Sequence, residues 1–298
     1  MNSAIGLTLA LNGSWSGSSG MARCPAHDDR VPSLSIRDMN GKVLVRCHAG
    51  CDQHDVVAIL KKRGLWESNV RLPLHGACRR RRAAVAEPDR QDAQRTTAAL
   101  QIWQFAIPAV NTPVAVYMAT RGLTLRLPSS LRCHQALRHP LGEVWPCMVA
   151  LVTRGGDGTP LAIHRTFLAL DGKGKAPVMP AKMMLGPCRG GAVRLAEAGS
   201  SVMVGEGIET CLAAMQMTGR PAWAALSTSG LKSLELPPSI EEVVVLADGD
   251  APGEAAAAYC ARRWAREGRQ VRIARPPRGM DFADMLKKAI PFPGETLS

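Results

Sequence analysis

Three carboxylates stand where short apolar runs end in the C-terminal third of the chain. Glu206 follows Val202–Val204 in VGEGIET, and Asp248 and Asp250 follow Glu242–Ala247 in VLADGDAPG. Strand-like runs that alternate with helix-like stretches build a parallel sheet, and ligand sites in such sheets form at the carboxyl ends of the strands. Acids delivered there by two strands converge on one crevice. Hard oxygen donors in that setting suit Mg²⁺, which is commonly shared with substrate phosphates. Gly207 and Gly249 leave the backbone open to a phosphate. A further pair, Asp281 and Asp284 in GMDFADML, follows the next strand and either completes the metal shell or caps the closing helix. Glu209 reads as a first-turn acid that favours the positive end of its helix.

A second constellation is soft. Cys24-x2-His27 and Cys47-x3-Cys51 sit on two tight turns with a β-like segment between them. Paired thiol and imidazole ligands at this spacing predict one structural, tetrahedral Zn²⁺. Pro25 stiffens the first turn, Gly50 loosens the second, and His48 stands as an alternative to one partner. Cys78, Cys133, Cys147, Cys188, Cys211 and Cys260 lack ligand spacing and read as small core hydrophobes. Nine cysteines, an odd number, speak against a disulfide framework.

The elements that must hold these groups fall into four stretches of an α/β chain, α+β overall: a Cys- and His-rich stretch over 1–70, a basic linker over 71–95, a basic α+β stretch over 96–195 and an α/β stretch over 196–298. At 298 residues and 46% apolar composition, two or three folded domains are expected. In the first stretch, Leu34–Arg37 and Val43–Cys47 read as strands and Asp52–Leu65 as a helix that Gly64 stops. The linker carries Arg79, Arg80, Arg81 and Arg82. Helices are predicted over Gln91–Ala106 and Pro113–Thr120, and strands over Met148–Thr153 and Leu161–Leu170. In the last stretch, strands at Val202–Val204, Glu242–Ala247 and Val271–Ala274 alternate with helices at Ile208–Met217, Glu254–Glu267 and Phe282–Ala289, a small parallel sheet with helices on its faces.

Charge is distributed unevenly. Residues 1–195 hold 26 Lys+Arg against 12 Asp+Glu, whereas residues 196–298 hold 11 against 13. A basic front and a slightly acidic back suggest a polyanion held by one part and processed by another. Other chemistries are excluded by what is missing: no GxxxxGK[ST] phosphate loop, no GxSxG elbow and no HExxH helix. No apolar run reaches the ~18 residues of a membrane span. No basic residue precedes the apolar patch Ile5–Leu11, which speaks against a secretory signal and for a soluble cytoplasmic protein.

Two segments carry a family resemblance. CPAHDDRVPSLSI…VLVRCHAGC resembles the zinc ribbon of bacterial-type DNA primases and of phage or plasmid primase–helicases. VGEGIETCLAAM…VVVLADGD…MDFADML resembles the Toprim domain, the catalytic fold those primases share with topoisomerases and some nucleases. The likeness runs from about Met21 to Leu286. It implies that Glu206 takes the Toprim glutamate position and Asp248 and Asp250 the Asp-x-Asp metal position. It also implies that Arg165, Lys173, Lys175, Lys182 and Arg189 meet template or nucleotide. The activity implied is Mg²⁺- or Mn²⁺-dependent synthesis of short RNA primers from nucleoside triphosphates on single-stranded DNA, in replication of a phage, plasmid or other mobile element. Two departures stand out. The second zinc pair has three intervening residues where bacterial replicative primases usually have two, and no helicase domain follows, so a separate replicative helicase is the expected partner. A Toprim phosphodiesterase that cuts DNA and a non-catalytic single-strand-binding accessory protein are the other readings. The intact acids speak against the latter, and Tyr117 and Tyr259 offer no convincing nucleophile for a topoisomerase.

Overall fold

The computed structural model of the chain describes residues 4–16, 19–27, 29, 32–39, 42–47, 51–66, 90–277 and 279–288. His48, Cys78, Arg79–Arg82 and most of the linker stretch lie outside the described residues. The chain divides into two compact units, Met1–Ala84 and Val85–Ser298.

The first unit opens with α1 (Ala4–Ala10), followed by β1 (Ser14–Ser16), β2 (Ser19–Ala22), β3 (Leu34–Met39), β4 (Lys42–Cys47) and α2 (Gln53–Lys62). The strands form an antiparallel sheet in chain order, with Leu34 opposite Cys47 and Ile36 opposite Val45. Alternation fixes the two faces: Leu34, Ile36 and Val45 are buried with Leu7, Leu11, Val56 and Leu60, while Arg37 and Arg46 face outward. The apolar patch at Ile5–Leu11 belongs to α1, which buries Ala4 and Leu7 and exposes Ile5 and Leu9. Helix α2 is shorter than its periodicity predicts. Gly64 takes a left-handed φ of 68°, and the amides of Gly64 and Leu65 return to the Lys61 and Leu60 carbonyls, which closes the helix.

The second unit contains α3 (Arg90–Phe105), β5 (Ile107–Pro108), α4 (Pro113–Thr120), β6 (Leu131–Arg138), β7 (Val144–Arg154), β8 (Pro160–Phe167), β9 (Lys182–Leu185), β10 (Gly191–Arg194), β11 (Ser201–Gly205), α5 (Ile208–Thr218), β12 (Ala222–Ala224), α6 (Thr228–Ser233), β13 (Glu242–Leu246), α7 (Ala251–Arg266), β14 (Gln270–Ala274) and α8 (Phe282–Lys287). Its ten described strands make one sheet, ordered β14-β13-β11-β12-β10-β7-β6-β5, with β8 and β9 continuing from β7. Strands β12, β11, β13 and β14 are parallel; β10 is antiparallel to both β12 and β7 and joins that part to the antiparallel β5–β9 part. The expected parallel sheet is therefore present. Strands β5, β6, β9, β10 and β12 and helix α6 are additions to the expected elements.

The apolar run of β13 is continuous because both of its faces are covered. Val244 and Leu246 pack with Met203 against Ile208 and Leu212 of α5 and Phe282 of α8. Val243 and Val245 pack with Val202 and Val204 against Leu231 of α6 and Ala257, Cys260 and Trp264 of α7. Cys133, Cys147, Cys211 and Cys260 are fully buried, as expected of small core residues, and Cys188 is half-buried. Among the described residues, no helix is long and apolar enough to cross a membrane.

Trp264 is fully buried in the cluster that seats α7 against β13. Trp264→Ala is expected to destabilise the second unit by about 3–5 kcal/mol, seen as a lower midpoint in urea denaturation. Trp264→Phe should recover most of the loss.

Candidate active site and metal centre

The soft cluster of the first unit is assembled. The ligand atoms of Cys24, His27, Cys47 and Cys51 all lie within 4.8 Å of one another. His27 Nδ1 is 3.2 Å from Cys51 Sγ and 3.9 Å from Cys47 Sγ, so it is this nitrogen that faces the thiols. Burial, and then the neighbouring thiols, push the Cys24 thiol up to about 12 against the pull of the Ala26 amide. Burial also raises Cys51. Thiols raised in this way stay protonated unless a cation draws their protons off, and an S₃N donor set fits Zn²⁺. The register explains the assembly: Cys47 ends β4 opposite Leu34, and Cys24 lies two residues beyond Ala22, the partner of Leu34 on β2.

The hard cluster lies at the carboxyl edge of the parallel strands. Because Val204 is paired with Val245, Glu206 leaves β11 level with Ala247, one residue before Asp248 on the neighbouring chain segment. A side chain at Gly205 would come within 3.0 Å of Cys211 Sγ, so glycine lets α5 close tightly behind Glu206. Asp250 is the N-cap of α7 and accepts the Gly253 amide on Oδ1 at 2.8 Å. Glu206 Oε1 is buried and has no hydrogen-bond partner. Burial first, then the charges of Asp248 and Asp250, push the Glu206 carboxyl up to about 7, with Lys232 and the Thr228 amide acting against them. Asp248 is raised by burial and then by Asp250 and Asp281. A buried oxygen without a hydrogen-bond partner beside two further acids makes a hard donor set, and these oxygens fit Mg²⁺ or Mn²⁺.

Asp281 and Asp284 form a capping box on α8. Asp281 Oδ1 accepts the Asp284 amide at 2.7 Å, and Asp284 Oδ2 accepts the Asp281 amide at 3.3 Å. The charge of Asp281 still reaches Asp248, so it borders the crevice as well as capping its helix.

Residues 201–290 match the family model of the Toprim domain. This part of the chain is a Toprim domain. Residues 93–195 match a domain of unknown function designated DUF7146. Among solved structures, the Aquifex aeolicus primase (zinc-binding and RNA polymerase domains) is similar at 14% identity and a TM-score of 0.42, over 97% of this chain and 80% of that one. A DnaG primase catalytic domain bound to ssDNA is similar at 16% identity and a TM-score of 0.45, over 67% and 79%. The primase fragment of the bacteriophage T7 primase-helicase protein is similar at 14% identity and a TM-score of 0.40, over 62% and 71%. The comparison with curated proteins gives no match.

Of the five cations expected to meet template or nucleotide, four are exposed: Lys173, Lys175, Lys182 and Arg189. Arg165 is not. It alternates with Ile163 and Phe167 on the α3 side of β8, is 9% exposed, and donates Nη2 to the Met184 carbonyl at 3.2 Å. Burial lowers its pKa, and its Nε has no partner.

Sequence reasoning missed a network that joins the basic segment to the Toprim domain. Glu209, in the first turn of α5, accepts the Tyr117 hydroxyl at 2.9 Å and the Lys182 ammonium at 3.1 and 3.3 Å. Arg121 Nη2 donates to the Tyr117 oxygen at 3.3 Å. His164 is buried nearby with Nδ1 unpartnered; burial, then Lys182, hold its pKa down at about 4. For Glu209, burial works upward, but the charge and hydrogen bond of Lys182 and the bond from Tyr117 hold it down at about 2. No local signal in GEGIET could reveal this, because the partners lie 92 and 27 residues away.

A carboxyl depressed from 4.5 to about 2 on folding contributes stability that is fully present above pH 4.5 and lost as pH falls towards 2. At about 1.4 kcal/mol per pH unit, that is roughly 3 kcal/mol. Glu209→Gln is expected to lower the thermal midpoint at pH 7 and to flatten its decline between about pH 5 and pH 2, followed by calorimetry across pH.

Proposed function

We propose that the chain is a DNA primase, a Mg²⁺- or Mn²⁺-dependent nucleotidyltransferase that joins nucleoside triphosphates into short RNA primers on single-stranded DNA. The observation that carries this reading is the Glu206–Asp248–Asp250 crevice of the Toprim domain, where a buried, unpartnered carboxylate oxygen meets two further acids. Its company in the same chain favours primer synthesis over simple cleavage: a Cys₃His cluster in the first unit, and a front of 26 Lys+Arg against 12 Asp+Glu suited to a polyanionic template.

In this reading Asp248 and Asp250 hold the metal, with Asp281 at its border. When bound, the ion offsets the charge of the reacting phosphate and makes the attacking hydroxyl more acidic. Glu206 Oε1, near neutrality in its affinity for a proton, accepts the proton of the primer 3′-hydroxyl or orients the ion. Lys173, Lys175, Lys182 and Arg189 neutralise template and triphosphate oxygens, and Glu209 fixes the rest position of Lys182. One structural Zn²⁺ per chain is held by Cys24, His27, Cys47 and Cys51. The setting is cytoplasmic replication of a phage, plasmid or other mobile element, with a separate replicative helicase supplying unwound template.

The test is purified protein with circular single-stranded DNA, Mg²⁺ and labelled nucleoside triphosphates. Short products that require the triphosphates support the proposal. Linearised template without them supports a Toprim nuclease, and neither product leaves a binding protein. Asp248→Asn, Asp250→Asn and Glu206→Gln are each expected to lower primer yield by about two orders of magnitude or more, because a metal-held transition-state contact is worth several kcal/mol. Single-strand affinity should survive in all three, falling by ~0.7 log units per phosphate contact for each tenfold rise in salt. Normal synthesis in all three variants moves the active site elsewhere; joint loss of binding and synthesis makes the acids structural.

Metal content gives an independent check. Elemental analysis should find about one zinc per chain, lost in Cys47→Ala together with the fold of the first unit. A zinc-free, folded and active wild-type protein rules the zinc assignment out.

A further inference from the structure

Asp29 is a buried acid that the ligand spacing did not single out. Its side chain is 6% exposed. Both oxygens are engaged, and each faces the metal cluster in a different way. Oδ2 accepts the Cys24 amide at 2.6 Å, the Ser33 hydroxyl at 2.6 Å and the Ser33 amide at 3.2 Å. Oδ1 lies 3.5 Å from His27 Nε2. Ser33 Oγ, in turn, is 3.6 Å from Cys47 Sγ. One carboxylate therefore touches the backbone of one ligand residue and the ring of a second, and reaches a third through a serine.

The orientation of His27 gives this contact its meaning. Nδ1 faces the Cys51 and Cys47 sulfurs, so it is the nitrogen that would give its lone pair to a cation. The ring proton must then reside on Nε2, which lies 3.5 Å from Asp29 Oδ1. A carboxylate in that position selects the Nε2–H tautomer, holds the ring plane, and makes Nδ1 a stronger donor. Taking the cluster as a zinc site, as proposed above, we infer that Asp29 is the outer carboxylate of that site: a positioning residue that orients His27 through Nε2 and ties the Cys24 turn to the start of β3.

Asp29→Asn separates its two tasks. The amide oxygen still accepts from Cys24 and Ser33, while the NH₂ group that replaces the second oxygen cannot accept from His27. The experiment uses the full-length chain loaded with Zn²⁺, a chromophoric chelator to compete for the ion, and ¹⁵N-histidine NMR to read the His27 tautomer. The expected result for Asp29→Asn is a ten- to hundredfold loss of zinc affinity with unchanged circular dichroism at saturating zinc, and a changed His27 Nε2 signal. Ser33→Ala, which leaves the His27 contact in place, should keep the His27 signal of the wild type. Zinc affinity in Asp29→Asn within about threefold of wild type overturns the inference. A lost affinity with an unaltered His27 signal also overturns it, because Asp29 then acts only through the turn. If Asp29→Asn fails to fold, Asp29→Glu serves, and a wild-type His27 signal with wild-type affinity in that variant supports the carboxylate role. A wild-type chain that takes up no zinc overturns the zinc reading itself, and is distinguishable from failure of Asp29 alone.

Discussion

Like charges at the end of neighbouring parallel strands impose the constraint around which the second unit is arranged. The pairing of β11 with β13 leaves no freedom in where Glu206 and Asp248 emerge, and the N-cap role of Asp250 fixes the third acid on the same rim. In a half-buried crevice their repulsion and the loss of hydration act in the same direction, and Glu206 answers by holding a proton up to about pH 7. A fold selected only for stability gains nothing from such an arrangement. Packing tight enough to need glycine at 205, and covered on both sheet faces, holds the acids in place despite their mutual cost.

Glu209 shows what the same helix does when a counter-charge is supplied. It lies three residues beyond Glu206, yet its carboxyl is held at about 2 rather than about 7. Burial opposes ionisation in both; the partners decide the outcome, Lys182 and Tyr117 for one and two carboxylates for the other. The first turn of α5 thus carries one satisfied acid that braces Lys182 from the basic segment, and the residue just before its N-cap Gly207 is an unsatisfied acid that faces the crevice. The charge of Lys232 also acts on Glu206, but is too weak a counterweight to restore an ordinary carboxylate.

Much of this was legible in the sequence, and the reasons for the exceptions are physical. The Cys₃His set and the acid positions are local signals: short spacings on turns, and acids directly after apolar runs. Strand β13 is legible as a continuous apolar run and helix α7 from its helical periodicity, each to within a few residues. Strands β9, β10 and β12 are three or four residues long, too short for alternation to stand out, and exist because their neighbours supply the pairing. Strand β6 carries Arg132, His134 and Arg138 among its apolar residues and a register shift between His134 and Leu137, which together blur a period of two. The family resemblance sets Arg165 among the residues that meet template or nucleotide, and its position between Ile163 and Phe167 on an alternating strand sends it inward. The Glu209 network depends on chain segments far apart in sequence and leaves no local trace.

The two metal settings differ in ways that keep their ions apart. The first unit offers three sulfurs and one nitrogen, with Cys24 and Cys47 buried and the Cys24 thiol raised to about 12. Only a cation with high affinity for soft donors repays the removal of those protons, and Mg²⁺, which parts reluctantly with its waters, does not. The Toprim crevice offers oxygens alone. Asp250 is exposed and Asp248 and Glu206 are half-buried, so under the function proposed above an ion held there would keep part of its hydration. On that same reading the soft site would hold structure and the oxygen site would admit a substrate, so that donor chemistry alone would divide the chain into a part that a metal folds and a part at which a metal acts.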